Sequence, residues 1–193
     1  MLLLAGCGSS GTNTHSSRMP SMHMTSGPTT GTPAAGPHNT QDVSFATDMI
    51  PHHAQAVTMA EMALTKATDP NVKKLAASIK AAQAPEIASM SGWLSGWGKP
   101  VPSGSMPMHH GGMSMPGMMS DDDMASLNKA TGAAFDKLWL TQMIRHHQGA
   151  IMMARTEHAD GQNPDAKTLA RSISASQSRE ISQMTHLLST LGK

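Results

Sequence analysis

Four stretches of the chain place apolar residues at three- and four-residue steps, the period of a helix with one buried face. Between Thr40 and about Ala67 the stripe is Phe45, Met49, His52, Ala56, Met59 and Ala63. Asp69-Pro70 follows, an N-cap and a first helical residue. Val72, Leu75, Ala76, Ile79, Gln83, Glu86, Ile87, Met90, Leu94 and Trp97 then form a second stripe, which Gly98 and Pro100 stop. Pro85 lies inside it, where a kink is expected. A third helix is predicted from about Ala134 to Ala159, ending near Gly161. Asn163-Pro164 opens the fourth, striped by Leu169, Ile173, Gln177, Glu180, Ile181, Met184, Leu188 and Leu191. Ser120 with Asp121, Asp122 and Asp123 reads as the capped start of a short helix that Thr131-Gly132 breaks.

The stripes repeat. Residues 49–99 align with 143–193 at a constant offset of 94, and 22 of the 51 positions are identical. Met49/Met143, His52/His146, His53/His147, Met59/Met153, Gln83/Gln177, Glu86/Glu180 and Met90/Met184 are among the matches. Neither hairpin can bury its stripe alone. The predicted fold is therefore all-α, a four-helix bundle of two duplicated hairpins with pseudo-twofold symmetry. Residues 40–99 form the first hairpin, 99–120 a loop, and 121–193 the short helix with the second hairpin.

Composition changes this picture at the two remaining segments. Residues 8–39 are rich in Gly, Ser, Thr and Pro and are expected to be a flexible linker carrying Met19, Met22, His23 and Met24. Before them, Leu4-Ala5-Gly6-Cys7 resembles a bacterial lipobox, so residues 1–7 read as the remnant of a lipoprotein signal with Cys7 as the lipidated residue. The apolar run there is too short for a complete signal peptide. The expected location is the outer face of the cytoplasmic membrane, at the cell surface or in the periplasm. A net charge of +1 gives no basic field for nucleic acid. Aromatic residues are 3% of the chain, whereas methionine reaches 19 of 193 and histidine 11.

Those two residue types carry the candidate chemistry. Met49 precedes His52 and His53 by three and four residues, and Met143 precedes His146 and His147 in the same way. At those spacings helical side chains meet, so each Met-x-x-His-His presents a thioether and an imidazole to one ion. Adjacent helical residues point about 100° apart, so only one histidine of each pair sits at the centre of a given face. Met59 lies on the same face about 10 Å along the axis, which suits a second layer or a second ion. Taken singly, Met59, Met90, Met153 and Met184 read first as core packing and second as ligands. Gln83, Glu86, Gln177 and Glu180, with Asp48, are the groups expected to back the imidazoles, since a carboxylate in an apolar stripe needs a partner and a metal-bound histidine needs an acceptor. The same His–Glu pairs could instead simply hold helices in register. In the loop, Met106, Met108, His109, His110, Met113, Met115, Met118 and Met119 lie in a Gly/Pro/Ser segment that cannot pack a core. Thioether suits Cu(I) and Ag(I), and imidazole suits both copper states.

"FATDMIPHHAQAVTMAEMA" and "FDKLWLTQMIRHHQGAIMMA", each followed by a Gln-x-x-Glu-Ile-x-x-Met helix, resemble domain-of-unknown-function family 305 over residues 40–193. That resemblance implies a ferritin-like four-helix bundle, export from the cytoplasm, and copper binding through Met and His. Pro51 against Arg145 and Pro85 against Arg179 depart from the repeat without removing a candidate ligand. The expected function is a non-enzymatic copper-binding protein that sequesters or hands on Cu(I), with Ag(I) as a mimic. A copper-transport or chaperone partner is expected, and membrane contact only through Cys7. A ferritin-like dimetal oxidase is the first alternative, but it needs Glu-x-x-His motifs that this chain lacks. A metal-free helical lipoprotein that binds another protein is the second.

Overall fold

Helices begin where a side chain can accept their free amides. Asn39 Oδ1 takes the amides of Gln41 and Asp42 at 2.9 and 3.1 Å and opens α1, Thr40–Lys66. Asp69 caps α2, Pro70–Gly96, and Asn163 caps α5, Pro164–Thr190. In both, proline fills the first helical position, which has no amide partner to lose. Ser120 and Asp123 form a reciprocal capping box on α3, Asp121–Lys129. The remaining helix, α4, runs Gly132–Asp160 and starts two residues before the expected Ala134. These assignments come from a computed structural model that describes residues 36–103 and 115–191. Residues 8–35 of the predicted N-terminal linker, Cys7, and Met106, Met108, His109, His110 and Met113 lie outside the described residues.

The chain is all-helical among the described residues, with four long helices and one short one. Pro51 and Pro85 lie inside α1 and α2, and both helices continue past them. No helix among the described residues is long and apolar enough to cross a membrane. α1 packs on α2 and on α4, α4 packs on α5, and α2 touches α5 only lightly.

The buried side chains form two apolar clusters, one toward each end. One joins Met59, Val72, Leu75, Ile79, Leu127, Phe135, Trp139, Leu140, Met143 and Met184. The other joins Phe45, Met49, Ile50, Met90, Leu94, Trp97, Ala154 and Ile173, with Met153 partly buried against it. Each cluster therefore draws Met-x-x-His-His methionine and its hairpin partner from one repeat, and the remaining methionine from the other. The indole N–H of Trp139 donates to the Met59 carbonyl at 2.8 Å inside the first cluster, fastening α4 to α1.

Two buried carboxylates fasten the hairpins to each other. Asp42, near the start of α1, accepts the amides of Gln162 and Asn163 in the α4–α5 turn, at 2.8–3.1 Å. Asp136, its counterpart 94 residues on, accepts the amides of Thr68 and Asp69 in the α1–α2 turn, at 2.9–3.2 Å, and the Thr68 hydroxyl at 2.5 Å. Each hairpin thus caps the turn of the other. Amides at the starts of α2 and α5 that have no acceptor within their own helix are satisfied this way.

Candidate metal centre

Between the two apolar clusters lies a polar band built from both repeats. His52, His53, His146 and His147 are all fully buried. The 100° between neighbouring helical positions explains how both members of a pair can be interior. α1 has two neighbours, and the pair faces one each. His52 meets His146 of α4 ring to ring, with centroids 3.8 Å apart and planes tilted by 40°. His53 faces α2, where its Nε2 lies 2.7 Å from Glu86 Oε2. His147 faces α5 in the same way, 2.6 Å from Glu180 Oε2. The doubled histidine therefore splits into a central His52/His146 pair and two outer His–Glu pairs.

Burial makes the central pair neutral. Desolvation, then the charge of His53, pushes the pKa of His52 down to about 3, although its hydrogen bond to Pro116 raises it. Burial, then the charges of His52, His147 and His53, holds His146 well below the ordinary 6.5. Protons therefore do not compete for these nitrogens at neutral pH. Three ring nitrogens in the band have a hydrogen-bond partner, and five do not. Nδ1 of His52, His53 and His147, and both nitrogens of His146, have no hydrogen-bond partner in the protein. The Gln83 amide, 2% exposed, and Gln177 Oε1 are buried without partners as well. Buried polar atoms are almost always paired, so this concentration in one band marks it as a place for a ligand.

A segment from the central loop crosses the band. Pro116 O lies 3.2 Å from His52 Nε2. Gln55 grips the next turn of chain with both ends of its amide, donating to Met119 O at 2.9 Å and accepting from Met119 N at 2.8 Å. Arg145 reaches Met119 Sδ at 2.9 Å and Asp123 Oδ2 at 2.6 Å. Met119 is buried in the first apolar cluster, and Met115 and Met118 are half-buried.

The remaining sequence candidates divide by place. Met49, Met59, Met90, Met143 and Met184 are fully buried in the two apolar clusters that flank the band. Asp48 is exposed on α1. Among the described residues no three His, Cys, Asp or Glu side chains converge as one metal-binding group. The Asp42/Asp136 clasp and the crossing segment were not anticipated from sequence. Extending the repeat seven residues toward the N-terminus would have shown Asp42 and Asp136 in register.

The family described as "Domain of unknown function (DUF305)" matches residues 42–188. The chain belongs to the DUF305 family. A DUF305 protein of Streptomyces coelicolor described as secreted is 37% identical over 79% of this chain and 94% of its own, with a TM-score of 0.71. A DUF305 fragment from Deinococcus radiodurans is 32% identical, over 81% of this chain and all of its own, at 0.72. CopM in its Cu(I)-bound form is 37% identical over 79% and 98%, at 0.65. In its Cu(II)-bound form the match is 41% over 77% and 95%, at 0.67. CopM has also been seen with silver. No match is found among curated proteins. The DUF305 match starts at Asp42, the first clasp residue, so the clasp lies within the family's span.

Proposed function

We propose that this DUF305 protein is an exported, non-enzymatic copper carrier that sequesters or hands on Cu(I) in copper tolerance, with Ag(I) as a mimic. The observation that carries the reading is the His52/His146 pair: two neutral imidazoles in ring contact, fully buried, with three unpartnered nitrogens between them. Neutral imidazole flanked by thioether is a donor set for copper. CopM, which was solved with Cu(I), Cu(II) and silver, supports it from outside. Export fits the secreted Streptomyces relative. Lipidation at Cys7 would tether the protein to the membrane, and the loop methionines and histidines would add donors outside the bundle.

The test is Cu(I) titration against a coloured competing chelator, with wild type beside His146→Leu and His147→Leu. Wild type is expected to withdraw Cu(I) from the chelator. His146→Leu should lose bundle binding, while its stability holds or rises, because it removes two buried nitrogens that have no partner. His147→Leu leaves Glu180 without its partner and should destabilise the fold by about 1–3 kcal/mol. A wild-type protein unable to compete with even a weak chelator would end the copper reading. Unchanged copper binding in His146→Leu would move the site elsewhere.

A further inference from the structure

The two repeats agree at the histidines and disagree around them, and the disagreements cluster. Position 55 is Gln and its counterpart 149 is Gly; position 51 is Pro and its counterpart 145 is Arg. Gln55, Arg145 and Gly149 all touch the segment Met115–Ser120. A Cβ at Gly149 would lie 1.9 Å from Pro116 O and 2.7 Å from Gly117 Cα. Gly117, with φ +78°, would in turn place a Cβ 2.6 Å from Arg145 O and 2.9 Å from His146 O. Backbone meets backbone here because neither residue has a side chain. The outcome of this close approach is the position of one atom, Pro116 O, beside His52 Nε2.

A carbonyl oxygen can only accept, so the neutral His52 ring must carry its hydrogen on Nε2 and its lone pair on Nδ1. Glu86 and Glu180 anchor His53 and His147 through the same Nε2 atom. His146, the twofold counterpart of His52, makes no hydrogen bond of normal geometry at either nitrogen and has only the His52 backbone nearby as a partner. The strap thus makes an otherwise symmetric pair unequal, with one ring fixed and the other free.

Resting on the copper reading above, we infer that the Met115–Ser120 strap is a positioning element of the metal centre. Pro116 O, held by the Gly149–Gly117 approach and the Gln55 clamp, fixes His52 as an Nδ1 donor, and His146 adjusts to it. A metal-bound histidine is generally oriented by an acceptor on its other nitrogen, and losing that acceptor typically weakens binding about 10–100-fold.

The experiment uses the full chain, wild type beside Gln55→Ala and Gly149→Ala, with circular dichroism to confirm helix content. Imidazole 15N shifts report the tautomer of each histidine without metal, and Ag(I) affinity is measured by competition on the same samples. Wild-type His52 is expected to show a single Nε2–H tautomer. Both variants should mix tautomers at His52 while His53 and His147 keep theirs, and Ag(I) affinity should fall about 10–100-fold. If Gly149→Ala does not fold, Gln55→Ala decides alone. Mixed tautomers at His52 in wild type overturn the inference. So does an unchanged affinity in a variant whose His52 tautomer has been released. A fixed His52 in a wild-type protein that takes up no Ag(I) overturns the copper reading and the positioning role with it.

Discussion

Glu157 shows how one residue can set a pH limit on a fold. It is fully buried on α4 facing Asp42. A Cβ at Gly161 would lie 2.2 Å from its Oε1, so only glycine leaves room for the carboxyl. Burial, then the adjoining Asp42 carboxyl and its charge, pushes its pKa from 4.5 up to about 8, against Gln41 and Lys167, which lower it. Burial opposes ionisation of Asp42 too, but the amides of Asn39, Asn163 and Gln162 and the Glu157 side chain together hold Asp42 below its ordinary value. The proton therefore sits on Glu157. Its folded pKa exceeds its unfolded one, so its stabilising contribution is complete below about pH 4.5 and disappears as pH rises through about 8. His52 acts in the opposite sense: lowered from 6.5 to about 3, it contributes above pH 6.5 and loses that contribution as pH falls. Between pH 6.5 and 9 the wild-type melting temperature should decline. Glu157→Gln, which cannot ionise, should flatten that decline, and melting curves across the range would show it. An equal decline in both proteins would remove Glu157 as the cause.

Among the elements, the turns matter more than their length suggests. The α1–α2 turn is closed by Asp136 of the other hairpin, and the α4–α5 turn by Asp42. Asp136→Ala would strand the amides of Thr68 and Asp69. Unmade buried hydrogen bonds cost about 1–3 kcal/mol each, so a loss of roughly 2–4 kcal/mol is expected in urea denaturation. Asp69→Ala removes only a cap within its own hairpin and should cost about 1 kcal/mol. If the two variants lose equal stability, the clasp between hairpins contributes no more than an ordinary cap. Both His–Glu pairs bridge helices of a single hairpin, whereas the carboxylate clasps and the His52/His146 contact bridge the two.

In the whole molecule the loop between the hairpins has two parts with different work. Its last residues, Met115–Ser120, lie across the histidine band, while Met106, Met108, His109, His110 and Met113 precede them in sequence. Removing residues 104–114 and rejoining the chain with a short Gly-Ser bridge should lower the number of Cu(I) ions bound and leave one bundle site. Removing the strap as well should weaken that remaining site. Ions counted by metal analysis after gel filtration distinguish the two truncations. Loss of every ion in the first would assign all binding to the loop. Silver should also raise the melting temperature, since an ion that binds only the folded chain at 100 times its dissociation constant adds about 2.7 kcal/mol.

Helical period, the caps at Asp69, Ser120 and Asn163, and the 94-residue repeat are local or pairwise properties of the string, and they determined five helices and two equivalent hairpins. The same spacing carries the expectation of a thioether for each imidazole pair, and the Gln-x-x-Glu segments named the carboxylates that His53 and His147 meet. What the string could not contain was which neighbour each helix face would find. That His52 turns to His146 while His53 turns to Glu86 follows from neighbouring helical residues pointing about 100° apart, so that the pair reaches two partners of α1. Nothing in the string singles out the difference between Gln55 and Gly149; the crossing of a third segment, backbone against backbone, gives that difference its reason. Asp42 and Asp136 stood in the repeat register all along. Their purpose depended on turns 120 and 67 residues away, and folding alone brings those turns within hydrogen-bond reach.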